Sequence, residues 1–293
     1  MEKGGRRTDF GYMELKKDYL RTGLTSVSCK EFKMDLTIPV VLKNNPMSFG
    51  EYCSTIKKEE LSSLAYLKDP ASQWHVPDSL RAKVNQDGKL KPFFGDTVVL
   101  PLEVKDFSLI TPFIREIYYN NTGNIFAEPL LEEHFHVTLH DLSNSPVEAE
   151  IKDIVSENEK KCIDLFKKIA AYLKKNPGMS KVRITSVYPF PSCNISVILG
   201  FAPESDLDYR IIMNLYNLFD DVVYLNYWLR LHITLAYFKP DDIKKDEMIK
   251  LCRVLEESGK NKILLELDLW KLSYQRFLNM NDYRTVFTVK HFY

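Results

Sequence analysis

The chain has 293 residues, 45% of them hydrophobic, and its 40 Lys and Arg residues balance its 40 Asp and Glu residues. A chain of this size can bury a substantial core and fits one large domain or two lobes. The balanced charge gives no support to broad binding of duplex DNA, which needs many phosphate contacts, but it permits a small phosphate ligand or a single RNA end.

The cysteines and the N-terminus indicate the cellular compartment. The five cysteines are scattered and show no metal-type C-x-x-C spacing, which is typical of reduced thiols inside a cell. The N-terminus is polar and has no apolar signal-peptide core. No apolar run approaches the roughly 20 residues needed to cross a bilayer. We therefore predict a cytoplasmic protein with no membrane partner.

The first 92 residues are uneven in character. Residues 49–67 predict a helix with Ile56, Leu61, Leu64 and Leu67 on its apolar side, ending near Asp69-Pro70. Within residues 84–90, the pair Asp87-Gly88 is the signal of a tight hairpin. This part of the chain is predicted to be an ordered extension and not a separate catalytic domain.

After residue 92, strands and helices alternate in the prediction. The best-defined helix lies between residues 151 and 173, where apolar residues recur at helical spacing with charges between them, and Asn176-Pro177-Gly178 ends it. The other predicted elements are strands at 98–102, 134–140, 181–187, 194–201 and 231–238 and helices at 111–119, 207–218 and from 240. Two last strands, at 263–269 and 284–289, are predicted to close the chain as a hairpin.

One short motif occurs in two of these strands. His136-Val137-Thr138-Leu139 returns as His232-Ile233-Thr234-Leu235, 96 residues later (232 minus 136), and each copy precedes a predicted helix. Because a strand sends alternate side chains to opposite faces, the apolar residues of each copy are expected in a core. The polar faces would carry His134, His136, Thr138 and His140 in the first copy and Arg230, His232 and Thr234 in the second. Two such faces predict one shared cleft and a duplicated strand and helix unit.

The histidines are the candidates for chemistry, because the sequence has no glycine-rich phosphate loop, serine nucleophile elbow or dinucleotide fingerprint. A histidine with an ordinary pKa near 6.5 is available in both protonation states near neutral pH. Two histidines facing one phosphorus can act as base and acid in the same reaction. Threonine hydroxyls beside them can donate hydrogen bonds to the phosphate oxygens. This chemistry requires no metal or other cofactor.

With these two motifs the sequence resembles the two-histidine (2H) phosphoesterases, whose signature is a pair of His-apolar-Thr/Ser-apolar motifs. Members include RNA 2',3'-cyclic phosphodiesterases, 2'-5' RNA ligase-like proteins and cyclic phosphodiesterases of nucleotide products. The stretch Lys89-Leu90-Lys91-Pro92-Phe93-Phe94-Gly95-Asp96-Thr97-Val98-Val99 is similar to a bacterial and fungal branch with an N-terminal extension. That branch more often has Asn in place of Asp96, which weakens a phosphate role for this position.

The resemblance covers roughly residues 83–293 and leaves residues 1–82 as the N-terminal extension. It implies a bilobal α+β fold in which two antiparallel sheets flank a central cleft, with helices on the outside. It also implies a metal-independent phosphodiesterase that hydrolyses a 2',3'-cyclic phosphate or a 2'-5' linkage of a nucleotide or RNA end. We expect the protein to be a monomer.

The same resemblance implies roles for individual residues. His136 and His232 would be the catalytic pair, with His232 preferred as base and His136 as acid, and Thr138 and Thr234 would bind the phosphate. Arg230 is a further candidate for phosphate binding and equally well an exposed surface arginine. Tyr237 falls on the core side by alternation, which favours packing, although a bent strand end would let it stack on a base.

Two other functions remain open at this level. A metal hydrolase could use His134, His136 and His140 with Asp141, since His-x-His on a strand can bind metal, but the second motif would then be unexplained. A non-catalytic module could retain the cleft and bind a cyclic nucleotide or an RNA end without turnover. His134 and His140 share the predicted strand face, but each is expected to be a rim or hydrogen-bonded histidine without a direct role. His75 and His291 lie outside any motif and are predicted to be structural.

Overall fold

The computed structural model describes residues 47–120, 124–225 and 227–293, and predictions for residues 1–46 lie outside this part of the chain. The described ranges contain six α-helices: α1 (Phe49–Lys68), α2 (Asp78–Arg81), α3 (Val104–Asn120), α4 (Glu148–Lys175), α5 (Asp206–Phe219) and α6 (Lys245–Ser258). They contain eight strands: β1 (Phe94–Pro101), β2 (His136–Ser145), β3 (Lys181–Ser192), β4 (Ser196–Pro203), β5 (His232–Tyr237), β6 (Leu264–Asp268), β7 (Ser273–Asn279) and β8 (Asp282–Thr288).

The strands form two four-stranded sheets, one in each lobe. The strand orders are β2-β1-β7-β8 and β5-β4-β3-β6, and every strand pair is antiparallel. The motif strands β2 and β5 are both outer strands, and they lie against each other. The predicted α+β fold with two antiparallel sheets is confirmed.

The two halves repeat one pattern of elements. In the first half β1, α3, β2 and α4 follow one another, and in the second half β4, α5, β5 and α6 do the same. The helix inside each half packs against the other half, because α3 contacts β5 and α6 while α5 contacts β2 and α4. The predicted duplication of a strand and helix unit is confirmed, and the exchanged helices brace the two motif strands against each other.

A β-bulge interrupts both motif strands at the same place. In β2 the partner of Val99 is Thr138 and the partner of Val98 is His140, so Leu139 is the extra residue. In β5, Thr234 and Ala236 pair with consecutive residues of β4, so Leu235 is the extra residue. A bulge bends its strand and changes which side the following residues face. The alternation of buried and exposed side chains therefore ends at Leu139 and Leu235.

Local sequence accounts for the helices. Ser48 begins α1 with a capping box to Glu51, and Ser205 caps α5 by accepting from the amide of Asp208. The 28-residue α4 buries one apolar face and packs against β1 and β2, as its helical spacing predicts.

Helix α1 belongs to the packing of the second sheet. It contacts β3, β4 and α6 and buries Tyr52, Ile56, Leu64 and Leu67. Leu61, predicted on the apolar side, is exposed instead, and Glu60 is buried. The boundary predicted between residues 82 and 83 stays a prediction.

Several predicted elements differ from the observed ones. Strand β3 extends to Ser192 through two prolines, because its pairing with β4 is irregular between Ser186 and Pro189. Residues 193 and 194, the latter predicted as strand, form the turn to β4 with φ angles of 51° and 56°. The closing hairpin is made by β7 and β8; β7 was not predicted, and β6 pairs with β3 in the other sheet.

The helices of the described residues contain no apolar segment of the length needed to cross a membrane.

Candidate active site

His136 and His232 occupy equivalent positions in the two lobes. Each is the first residue of its motif strand, and each side chain is partly exposed while both of its sequence neighbours are buried. The alternation continues to Thr138 and Thr234, which are again partly exposed. Both copies thus direct a histidine and a threonine away from the core, as their patterns predict.

The two imidazole rings are held in the same way. Nδ1 of His136 lies 2.7 Å from the carbonyl oxygen of His134, and Nδ1 of His232 lies 2.8 Å from the carbonyl oxygen of Arg230. A carbonyl oxygen only accepts hydrogen bonds, so in both rings Nδ1 carries the proton. In the neutral ring Nε2 then has a free lone pair. Each imidazole is therefore oriented as a potential base at Nε2.

The two rings are close enough to influence each other's charge. Burial lowers the pKa of His136 to about 4, and repulsion from a charged His232 contributes to this shift. Burial also lowers the pKa of His232, and the positive charges of Arg230 and Lys83 add to the effect. Both imidazoles are consequently neutral near pH 7. The predicted convergence of the two motif histidines on one cleft is consistent with this mutual effect and with the contact between β2 and β5.

The bulge at Leu139 removes His140 from the cleft. The prediction that His140 shares the polar face is wrong, because only 1% of its surface is exposed. Its Nε2 lies 3.0 Å from Oδ1 of Asp220, and its Nδ1 lies 2.6 Å from the carbonyl oxygen of Asp141. Its ring packs against Tyr216 of α5, 5.0 Å between ring centroids. Both nitrogens are engaged, so His140 has a structural role.

The metal-site hypothesis loses a ligand for the same reason. His140 faces α5, and Nδ1 of His136 is bonded to a backbone carbonyl. Within the ranges that the structure describes, no three His, Cys, Asp or Glu side chains are grouped so that they could hold a metal ion. The residues predicted as a metal set do not fit a metal centre.

The bulge at Leu235 brings Tyr237 to the side of Thr234. The Tyr237 hydroxyl interacts with the Thr234 side chain and lies 3.1 Å from Sδ of Met280. Simple alternation had assigned this tyrosine to the core side, and the extra residue reverses that assignment. Tyr237 is buried and at the same time adjacent to the second motif. Its role in substrate binding stays a prediction.

Arg230 is tied to helix α1. Its Nη2 lies 2.6 Å from Oε2 of Glu59, and its Nη1 donates to Oγ of Ser192 at 3.3 Å. The guanidinium also lies 5.7 Å from the ring centroid of Trp228. Its positive charge reaches His232, but in this state the group is paired with a carboxylate. A phosphate-binding role for Arg230 stays a prediction, and it requires the guanidinium to contact Glu59 and the phosphate at the same time.

Asp96 lies in the core and not in the cleft. Only 1% of its surface is exposed, and it accepts hydrogen bonds from the backbone amide and the hydroxyl of Ser143, from Asn158 Nδ2 at 3.0 Å and from the hydroxyl of Tyr274 at 3.0 Å. Burial raises its pKa. The group joins β1, β2, β7 and α4, which explains an acidic residue here without a phosphate role.

Three cleft residues were not predicted as substrate contacts. Asp141 accepts from the hydroxyl of Tyr227 at 2.8 Å, and its negative charge favours the protonated forms of both motif histidines. The ring centroids of Tyr283 and His136 lie 4.7 Å apart. Asp141 is on the cleft side because the bulge at Leu139 shifts the alternation by one residue. Tyr227 and Tyr283 come from a loop and a distant strand without motifs.

Lys83 is the fourth such residue. Its Nζ lies 5.1 Å from the ring centroid of Phe93 and 5.7 Å from that of Tyr237. The hairpin predicted from Asp87-Gly88 positions it, because the carbonyl of Lys83 accepts from the amide of Lys91 and Gly88 has a φ of 88°. The turn was readable in the sequence, but its place beside the second motif was not.

Comparison with protein-family models and with curated proteins finds no match. Among solved structures, the chain is similar to a conserved protein of unknown function, ATU0111, from Agrobacterium tumefaciens, with a TM-score of 0.55 and 14% identity over 77% of this chain and 98% of that one. A second structure, TT0787 of Thermus thermophilus, has a TM-score of 0.36 and 13% identity over 67% of this chain and 97% of that one. The first similarity supports the fold alone.

Proposed function

We propose that this chain is a metal-independent phosphodiesterase of the 2H type, which hydrolyses a 2',3'-cyclic phosphate or a 2'-5' linkage of a nucleotide or RNA end. The observation that carries the proposal is the equivalence of the two motif strands. Each presents an imidazole whose Nδ1 is bonded to the carbonyl two residues earlier, with a threonine on the same face. Two equally oriented Nε2 atoms in one cleft are what a base and an acid on one phosphorus require.

The proposed reaction consumes one water. One neutral imidazole takes a proton from water at Nε2 while the water oxygen bonds to phosphorus. The other imidazole, protonated at Nε2, gives that proton to the sugar oxygen as the bond between phosphorus and this oxygen breaks. The products are a phosphate monoester and a free hydroxyl, and the histidine pair holds the same number of protons as before. Each transfer typically contributes about 10²- to 10⁴-fold in rate.

The threonines stabilise the charge that grows on the phosphate. Thr138 and Thr234 lie two residues after the histidines on the same faces, and both are partly exposed. Their hydroxyls can donate to the non-bridging oxygens, where negative charge increases in the transition state. The Thr234 side chain acts on the hydroxyl of Tyr237, so this tyrosine lies beside the second threonine.

The reaction needs one protonated histidine, whereas the lowered pKa values make both motif histidines neutral near pH 7. The anionic substrate supplies the difference, because a negative phosphate beside the rings favours protonation. Either imidazole can hold that proton and act as the acid, and the direction in which the substrate binds decides which of the two does so.

The test is turnover of 2',3'-cyclic nucleotides and of 2'-5' oligonucleotides in the presence of EDTA. We expect wild-type turnover to persist in EDTA and to fall by at least about 10²-fold in His136→Ala and in His232→Ala. His75→Ala is the matched control, since His75 is exposed and contributes only its backbone carbonyl to a hydrogen bond. Wild-type turnover in either motif variant contradicts the proposal.

Binding without turnover would establish the non-catalytic alternative, since both functions use the same residues. Tight binding of a cyclic nucleotide, with no product after long incubation, is its signature. A cytoplasmic, monomeric state with nucleotide or RNA ends as the substrate belongs to this proposal, and gel filtration tests the monomer.

A further inference from the structure

The ammonium group of Lys83 lies in the cleft without a counterion. The side chain is largely withdrawn from solvent between the rings of Phe93 and Tyr237, with Nζ 5.1 Å and 5.7 Å from their centroids. No carboxylate or carbonyl of the described residues forms a hydrogen bond or an ion pair with it. Burial lowers its pKa, and the negative charge of Asp141 only partly opposes this effect.

Such an arrangement favours an anionic ligand. Two aromatic faces stabilise a cation modestly, by roughly 0.5–2 kcal/mol, and do not neutralise its charge. A partly buried charge without a partner loses hydration, and an anion beside it compensates that loss. The ammonium is therefore held ready for an anion that is not part of the protein.

Lys83 is also connected to the second motif. The ring of Tyr237 lies beside its ammonium, and the hydroxyl of the same tyrosine interacts with Thr234. The charge of Lys83 also reaches His232. The lysine thus approaches the same anion position as Thr234 and His232, from a hairpin that lies outside both motif strands.

We propose that Lys83 is a third phosphate ligand of the cleft and that its ammonium contacts a non-bridging phosphate oxygen on the side of His232. This inference rests on the proposed function. A cyclic phosphodiester carries one negative charge, while attack by water builds a second one on the phosphate oxygens. A fixed cation therefore stabilises the transition state and the monoester product more than the substrate.

The charge on Lys83 has a second consequence for catalysis. Because it opposes protonation of His232, it sets the pH range in which this histidine is neutral. Removal of the charge should shift the His232 limb of the pH-rate profile to higher pH by about half a unit. A lysine with only a packing role would not move that limb.

The experiment compares Lys83→Met, Lys83→Arg and Lys89→Met in the full chain. Lys89 is exposed on the same hairpin, and its backbone is hydrogen-bonded to Asn85 and Asp87 of that hairpin, so its variant controls for the loss of one positive charge. For Lys83→Met we expect kcat to fall about 10- to 10³-fold with a smaller change in KM, together with the pH shift. Lys83→Arg should retain activity within about tenfold and keep the wild-type limb.

Binding of adenosine 2'-monophosphate, measured by calorimetry, separates the two proposals. We expect Lys83→Met to weaken it at least about tenfold, and thermal unfolding checks that the variants are folded. If the histidine variants are inactive while Lys83→Met has wild-type kcat, pH profile and affinity, the inference is wrong and the proposed function stands. If wild type shows no turnover but Lys83→Met still loses affinity, the lysine site stands without the catalytic function. No binding to wild type overturns both.

Discussion

Binding of an anion to the cleft should be coupled to uptake of a proton. Burial and the charge of His232 hold the pKa of His136 at about 4. An anion placed at Nε2 of the two rings reverses this balance, because it interacts favourably with the imidazolium. Sulfate is a suitable probe, since it stays fully ionised over the pH range of the measurement and is not hydrolysed.

The magnitude follows from the charge and the distance. A unit charge about 4 Å from the ring contributes about 4 kcal/mol at an effective dielectric constant near 20. One pKa unit corresponds to about 1.36 kcal/mol, so the anion should raise the pKa of the ring by about 3 units. The pKa of His136 would then move from about 4 to about 7 on binding. Substrate binding alone can therefore protonate one member of the pair near neutral pH.

The sign determines the assay. Since the bound state holds one more proton, sulfate affinity should fall about tenfold for each pH unit of increase between roughly pH 5 and pH 7 and then level off. Titration calorimetry in two buffers with different ionisation enthalpies measures the number of protons directly. The His75→Ala variant, altered far from the motif strands in sequence, should behave as wild type.

A pH-independent sulfate affinity in wild type would refute this account of the cleft. The double variant His136→Ala/His232→Ala provides the second criterion. It should either lose sulfate binding or bind without a pH dependence. Proton uptake of wild-type size in the double variant would mean that another group is responsible.

Two further predictions concern stability. The pKa of His136 is lower in the folded protein than in the unfolded chain, so the unfolded chain binds a proton at this residue more readily. The contribution of neutral His136 to the free energy of unfolding is therefore complete above about pH 6.5 and is lost as the pH falls toward 4. When urea unfolding at pH 4.5 is compared with that at pH 7, His136→Gln should reduce the loss of stability by about 1–3 kcal/mol. Asp96→Ala should lower the free energy of unfolding by about 2–4 kcal/mol, because Ser143, Asn158 and Tyr274 lose a buried acceptor. Asp96→Asn keeps one carbonyl oxygen and should lower the free energy of unfolding by less than half as much. Equal losses of stability in the two variants would contradict the assigned network.

Residue alternation located the centre of the site. The period of two in His136-Val137-Thr138 and in His232-Ile233-Thr234 places side chains on opposite sides of a strand whatever the rest of the fold is. The structure has the buried and exposed faces of both segments as this period requires. Helical spacing likewise identified α4, because 28 residues with one apolar face can pack in few other ways.

Alternation failed one residue later in both strands. The bulges at Leu139 and Leu235 depend on how β2 pairs with β1 and how β5 pairs with β4, which are contacts between distant parts of the chain. They moved His140 to a buried pair with Asp220 and brought Tyr237 beside Thr234. A pattern in one strand carries no information on its partner's register.

The local sequence was sufficient to predict the two histidine strands, their threonines and the helices that follow them. Strand alternation and helical spacing are properties of neighbouring residues. Packing between distant segments decided the rest. It placed the Lys83 ammonium against Tyr237, paired Arg230 with Glu59 and set the tyrosines around the cleft. These contacts join residues that lie far apart in the chain, and their geometry exists only after both sheets and the exchanged helices have assembled.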